Sequence, residues 1–267
     1  LLSDLAKSKY NARMRLLIQI KAIFLGPILL ILVLTPVCLI AFPFSLERRL
    51  KLVSPVWEWL GKALMRFVLH TKIDIREDHR APRFKGVPCK GLYVANHQSF
   101  IDIPLMVSVY QAPPIMKKEI LNIPVFGWVA WISGALPVDR SSSVSRRKIF
   151  DKARKRILRD GIGLQVYPEG TRSKDSHPKA FEDIKKTLLV WAFNEKIPVI
   201  PTSLYGTRGV LSSQGMIKPG RHVGIIVHQE ILPEHFQSAD EFARICWEKV
   251  IQGHDQMKMQ LGPLNES

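Results

Sequence analysis

Cysteine is scarce in this sequence. Only Cys38, Cys89 and Cys246 occur, far apart along the chain. There is no CxxC pair and no His/Cys pairing at metal-ligand spacing, so neither a zinc site nor a disulfide framework is expected. A reducing compartment is the simpler setting. A Gly-x-Ser-x-Gly elbow is also missing, which argues against a serine nucleophile of the α/β-hydrolase kind. No internal repeat or low-complexity tract points to a solenoid or a linker. Acidic residues are in deficit: 39 Lys and Arg face 23 Asp and Glu, a formal charge of +16. Such a balance implies an anionic partner, whether a phospholipid surface, an acidic carrier, a phosphorylated substrate or nucleic acid. Charge alone does not choose among them.

Charge is absent altogether from Ala22 to Leu46. A straight helix of that length would reach roughly 37 Å, enough to cross a hydrocarbon core of about 30 Å. It exceeds a secretory h-region, and no small-residue cleavage site follows it clearly. Pro27, Pro36 and Pro43 interrupt it, and each removes a backbone donor. Basic residues flank both ends, with Lys7, Lys9, Arg13, Arg15 and Lys21 before and Arg48, Arg49 and Lys51 after. A single span should be asymmetric in charge. Two arrangements therefore fit, a single span and a bent hairpin that enters and leaves one leaflet. From Val56 to Leu69, Val56, Trp57, Leu60, Leu64, Phe67 and Val68 recur at helical spacing. That pattern fits an interfacial helix with Trp57 and Trp59 at headgroup depth, or a surface helix packed on the domain.

Beyond about Ile73 short apolar runs alternate with helical ones. Strands are predicted over Gly91–Ala95, Gly163–Tyr167, Ile197–Pro201 and Val223–His228. Helices are predicted over Ile103–Tyr110, Ser143–Arg159, Thr187–Asn194 and Ala239–Met259. The fold class is α/β: one domain over 71–260 with a mixed, largely parallel sheet flanked by helices. An N-terminal membrane-associated helical segment over 1–70 and a tail over 261–267 complete the division.

Function in such sheets collects where strands end. Asn96-His-Gln-Ser-Phe-Ile-Asp102 directly follows the first of these strands. A hydroxyl that attacks a thioester must lose its proton, and histidine suits that task near neutral pH. A carboxylate on the other ring nitrogen would fix the tautomer and stabilise the imidazolium. His97 and Asp102 are spaced to meet across a strand-to-helix turn. Ser99 to Asp102 also has the form of a helix start, so a capping role fits Asp102 as well. Tyr167-Pro-Glu-Gly-Thr-Arg172 follows the second strand. There Gly170 permits a tight turn, Thr171 offers a hydroxyl, and Arg172 offers a fork suited to phosphate oxygens. Glu169 would accept from a substrate hydroxyl or hold Arg172.

These two blocks, in this order, resemble the glycerolipid acyltransferase family, in particular its 1-acylglycerol-3-phosphate acyltransferases. Met116-Lys-Lys-Glu-Ile120, Ile123-Pro-Val-Phe-Gly-Trp128, Gly134-Ala-Leu-Pro-Val-Asp-Arg140 and Ile197-Pro-Val-Ile-Pro201 carry the resemblance further, across roughly residues 91–206. The resemblance implies that His97 is the base and Asp102 its orienter. It implies that Lys117 and the Gly134 backbone lie near the thioester carbonyl as oxyanion stabilisers. Arg140, Glu169 and Arg172 would hold the glycerol phosphate, with Gly170 and Thr171 shaping the loop and Asn96 and Ser99 beside the substrate. Pro201 would close the acyl-binding side. The same resemblance implies acyl transfer from acyl-CoA or acyl carrier protein to the 2-hydroxyl of lysophosphatidic acid. No metal and no cofactor beyond the acyl donor is expected.

The implied setting is a phospholipid membrane, by resemblance a bacterial inner membrane with the active site on its cytoplasmic face. One departure stands out. The family usually shows Phe-Lys-x-Gly downstream, whereas this chain has Ala180-Phe-Glu-Asp-Ile-Lys-Lys-Thr187, without glycine. Other lysophospholipids or glycerol 3-phosphate remain alternative acceptors. A non-catalytic basic module that binds membranes or nucleic acid is the reading from another class. In such a module the hydroxyl-activating and phosphate-binding blocks would be redundant, so no nucleic-acid partner is expected.

Overall fold

The apolar run near the N-terminus forms a helix that ends in a turn before Leu46. In the computed structural model, which describes residues 13–14, 16–77, 90–123, 127, 130–131, 133–139, 141–211, 217–218 and 221–262, a π-helical turn Lys21–Leu25 leads into helix α1 (Gly26–Ala41). The chain then turns through Phe42, Pro43 and Phe44 and enters helix α2 (Leu46–Ala63). The 16 residues of α1 rise about 24 Å, and the π-helical turn before them lengthens the rod. Among the described residues no helix is long and apolar enough to cross a membrane. Ala22–Leu46, which fits either a single span or a bent hairpin by sequence, runs as a helix to Ala41 and then a turn into the second helix. Leu32, Leu39, Ile40 and Phe42 remain exposed along the first arm and the turn.

Helix α2 docks on the domain. Val53, Trp57 and Leu60 are buried in a cluster with Ala41 and Val107. Trp57 is therefore a packing residue, correcting the expectation of headgroup depth, whereas Trp59 and Phe67 point outward. The helical spacing from Val56 to Leu69 marked the buried stripe without naming the surface that covers it. That surface is helix α3 (Asp102–Tyr110), described below with the strand before it.

Among the described residues, seven strands follow the helices. They are β1 (Lys72–Glu77), β2 (Leu92–Ala95), β3 (Ile115–Lys117), β4 (Leu136–Val138), β5 (Leu164–Val166), β6 (Val199–Tyr205) and β7 (His222–Val227). The main sheet has the order β1-β7-β6-β2-β5. β2 pairs in parallel with β5 and β6, β1 pairs in parallel with β7, and the β6–β7 pair alone is antiparallel. β3 and β4 form a parallel pair of their own, joined to the main sheet by a bridge between Pro114 and Gln165 beside β5. The expected mixed, largely parallel sheet is what forms.

Helices cover both faces. Helix α4 (Ser143–Arg154, continued by a π turn to Arg159), α5 (Thr187–Asn194) and α7 (Ala239–Leu261) pack on one side with Leu92, Val94, Leu164 and Trp247. Helix α3 packs on the other with Tyr93, Ala95 and Ile200. A one-turn helix α6 (Thr207–Val210) follows β6. Alternate residues of β2 thus feed opposite cores, as a strand's period of two requires. Every residue of β2 and β6 is buried, the mark of central strands covered on both faces. Side-chain caps fix two helix starts: Ser142 Oγ accepts the Ser145 amide and Ser238 Oγ the Glu241 amide.

The contact between α2 and α3 is closest at Gly61, where an added Cβ would collide with Ser108 Cβ and Oγ. Alanine normally favours a helix over glycine by about 1 kcal/mol. Here the clash reverses the sign. Gly61→Ala is expected to lower stability by about 1–3 kcal/mol, the usual cost of overpacking, as read from denaturant unfolding. A gain in stability would contradict this packing.

Candidate active site

The register of the sheet brings two loops together. β2 and β5 are parallel, with Val94 beside Val166. His97 lies three residues beyond the first of these and Glu169 three beyond the second, so both leave the same carboxyl edge. The loops are stitched by two contacts from the backbone. The His97 amide donates to Glu169 Oε1 at 3.0 Å, and the Ser173 amide donates to the His97 carbonyl at 2.8 Å. Arg208, just past β6, holds the Ser173 carbonyl at 2.7 Å.

Three donors converge on one oxygen of Asp102. His97 Nδ1 lies 2.7 Å from Oδ2, the Gln98 amide 2.7 Å and the Ser99 amide 2.8 Å. Asp102 is fully buried, while the His97 side chain keeps 15% exposure. Since the carboxylate accepts at Nδ1, the proton sits there and Nε2 is left as the basic nitrogen. The capping role offered by the Ser-x-x-Asp pattern takes a different form. Asp102 ties back the loop that enters the helix and orients His97 with the same oxygen. Tyr167 stacks on the His97 ring with centroids 4.3 Å apart, and its hydroxyl donates to Gln165 Oε1 at 2.7 Å. Burial and the Asp102 charge push the Tyr167 phenol well above its usual range, so it stays protonated.

Glu169 is 3% exposed, and burial pushes its carboxyl up to about 8, against the opposing pull of the His97 amide and Lys179. Near neutrality it carries a proton, and its Oε2 has no protein partner. A protonated carboxyl there can donate to a phosphate or glycerol oxygen without repelling it. Gly170 follows with φ +70°, a left-handed turn that favours glycine, and an added Cβ would press on Lys185. Thr171 is exposed beside it. The Arg172 guanidinium lies 4.0 Å above the ring of Phe100, which joins the phosphate-type loop to the His97 loop. No described carboxylate pairs with Arg172.

Other expected site residues sit elsewhere. Lys117 is exposed at the carboxyl end of β3, the same edge as His97. Gly134 precedes β4, at the opposite end of the strands, and its near neighbours are Leu46 and Arg156. Asn96 and Ser99 are buried with their side chains on backbone, Asn96 with both groups of Leu204 and Ser99 with the Leu211 carbonyl. They brace the loop from within. Pro201 is buried in β6 opposite Val94 and accepts the His228 amide. Arg140 lies outside the described residues. Sequence reasoning gave no role to Tyr167, Gln98 or Arg208. Tyr167 could have been found as the first residue past a strand that ends beside His97. Arg208 has no sequence signal.

An α/β sheet with a buried His/Asp pair at its carboxyl edge, beside the loop that bears Arg172, is an arrangement that can accept a proton from a bound hydroxyl. Comparison with known proteins narrows it. A family model described as Acyltransferase matches residues 72–205. The chain is 33% identical over 163 residues to a chloroplast 1-acyl-sn-glycerol-3-phosphate acyltransferase of Brassica napus, covering 60% of this chain and 45% of that protein. It is 24% identical over 162 residues to the enzyme of that name from Haemophilus influenzae, covering 60% and 64%. The crystal structure of the 1-acyl-sn-glycerophosphate acyltransferase PlsC from Thermotoga maritima superposes with TM-score 0.79 at 25% identity, over 95% of this chain and all of that one. The chain spans about half the length of the plant relatives it matches. It belongs to the Acyltransferase family.

The Glu169 carboxyl makes stability depend on pH. Its folded value of about 8 exceeds the ordinary 4.5, so the folded chain holds a proton that the unfolded chain releases. Stability from this group is full below pH 4.5 and is lost as pH rises to about 8. Glu169→Gln should flatten that decline, by up to about 4–5 kcal/mol between the two limits, in denaturant unfolding at about pH 5 and about pH 8.5. An unchanged slope would contradict the protonated carboxyl.

Proposed function

We propose that this chain transfers a fatty acyl group from an acyl thioester, acyl-CoA or acyl carrier protein, to the 2-hydroxyl of 1-acyl-sn-glycerol 3-phosphate, making phosphatidic acid. The observation that carries the reading is the His97–Asp102 pair at 2.7 Å, set beside the Glu169–Arg172 loop. Arg172 and the protonated Glu169 hold the phosphate, which brings the acceptor hydroxyl to His97 Nε2. The hydroxyl proton passes to Nε2 as its oxygen bonds to the thioester carbonyl carbon. Asp102 stabilises the imidazolium that results. The oxyanion of the tetrahedral intermediate faces Lys117, exposed at the carboxyl end of β3. Collapse breaks the carbon–sulfur bond, and the leaving thiolate takes the proton from His97. The base is regenerated in one turnover, with no covalent enzyme intermediate and no cofactor beyond the thioester.

A lipid product explains the exposed N-terminal helices. Drawing an acyl chain of about sixteen carbons into water costs on the order of 13 kcal/mol, at roughly 0.8 kcal/mol per methylene. An active site at the bilayer face avoids that cost. The turn at Phe42–Phe44 and the exposed Leu32, Leu39 and Ile40 suit a hairpin seated in one leaflet. Basic side chains of α4, among them Arg147, Lys148 and Lys152, would meet anionic headgroups at about 1 kcal/mol per residue. On this reading the protein is a membrane enzyme facing the compartment where acyl thioesters are made, and it has no nucleic-acid partner.

The assay pairs acyl-CoA and acyl carrier protein donors with lysophosphatidic acid, headgroup-bearing lysolipids and glycerol 3-phosphate, using purified protein in vesicles. Lysophosphatidic acid is expected to be the preferred acceptor. His97→Ala is expected to keep vesicle attachment and lose at least about a hundredfold in turnover. Acylation of headgroup-bearing lysolipids alone would overturn the acceptor assignment, and near wild-type turnover of His97→Ala would overturn the mechanism.

A further inference from the structure

Two histidines and an aspartate outside the His97 site bring one ligand atom each close together. His254 and Asp255 adjoin on α7, and His177 lies on the segment after Arg172. His254 Nδ1 is 3.1 Å and His177 Nε2 is 3.3 Å from Asp255 Oδ1. One ligand atom from each residue lies within 4.8 Å of the other two. The far ring nitrogens face carbonyls: His254 Nε2 lies 3.0 Å from the Ser176 oxygen and His177 Nδ1 3.3 Å from the Pro178 oxygen.

A carbonyl only accepts, so in the neutral rings those far nitrogens carry the protons. The near nitrogens then turn lone pairs toward a carboxylate oxygen. Three acceptors facing one another repel. A cation at the centre relieves all three contacts at once. Metal-nitrogen and metal-oxygen bonds of about 2.0–2.1 Å at tetrahedral angles set ligand atoms about 3.3 Å apart, close to the two separations observed. Histidine ligands are commonly held in this way, with the far N–H on a carbonyl.

We propose that His177, His254 and Asp255 bind a divalent transition metal of the zinc type, with water completing the tetrahedron. Two imidazoles and one carboxylate select zinc over magnesium or calcium, which prefer oxygen ligands. The metal's place in the fold is that of a staple. The Ser176 carbonyl that receives His254 also receives Gln98 Nε2 at 2.5 Å, and Gln98 adjoins His97. Ser176 itself holds a left-handed backbone at φ +67°. Trp247 Nε1 donates to the Lys179 carbonyl at 2.8 Å, a second tie from α7 to the same segment. The metal would lock the stretch from Ser173 to Lys179, and with it the wall behind Gln98, onto α7. The metal site is independent of which acyl acceptor the His97 site takes.

The test titrates the dialysed, tag-free chain with zinc and with magnesium. Bound metal is measured by elemental analysis and affinity by calorimetry against a competing chelator. One zinc per chain is expected, with no saturable magnesium binding. His177→Ala and Asp255→Asn alter partly exposed side chains and should keep the wild-type far-ultraviolet dichroism. Each should weaken zinc binding at least about tenfold, the lower end even for an outer partner of a metal ligand. His97→Ala should bind zinc like the wild type. Absence of stoichiometric zinc, or wild-type affinity in both site variants, would overturn the proposal.

Discussion

Asp102 Oδ2 receives His97 Nδ1 and the amides of Gln98 and Ser99 within 2.8 Å, and the rest of the site takes its shape from that convergence. One buried oxygen fixes both the His97 ring and the backbone that carries it. An imidazole held this way keeps a single tautomer and a single free nitrogen. The loop it anchors then presents the His97 amide to Glu169 and the Gln98 side-chain amide to Ser176. Each neighbouring loop is thus positioned against a residue that Asp102 has already fixed.

The sheet supplies the convergence on a larger scale. Parallel pairing of β2 with β5 makes two sequence-distant blocks leave at the same edge and at the same height. Burial at that edge sets the chemistry of each group. Glu169 is neutralised by its surroundings, while the Arg172 guanidinium rests on the ring of Phe100. On the other side of the molecule, α2 is clamped to α3 through Gly61 and Ser108. Helix α3 begins with Asp102 itself, so the N-terminal hairpin and His97 share one rigid support.

Much of this could be read from the sequence because the signals were local. The strands around Tyr93, Gln165 and Ile225 are short apolar runs, the first two opened by glycine, and the two motif blocks stand directly after those two. Strand β6 runs on to Tyr205, past Pro201, because pairing with β7 takes over at Thr202. What escaped was set by distant partners. β3 and β4 have three residues each, too few to show a period, and β1 alternates polar and apolar residues at the sheet edge without a flanking turn signal. Trp57 matched an interfacial pattern but lies under α1 and α3, and a single-helix period cannot say what covers a stripe. Gly134 and Lys117 belong to one stretch of chain, yet the parallel pairing of β3 with β4 puts them at opposite ends. His177 and His254 meet only in the fold, so a search for ligands spaced closely in sequence passes over them.

The central claim is that Asp102 acts through His97. A double-mutant cycle of turnover in vesicles tests it, with Asp102→Asn made in the wild type and in the His97→Ala background. In the wild type the change should cost about a thousandfold or more, as loss of the orienting carboxylate does in comparable dyads. In the His97→Ala background it should change turnover less than about threefold, since no imidazole is left to orient. Losses that multiply across the two positions would show that Asp102 serves the reaction by some other route, and would contradict a base oriented by its carboxylate.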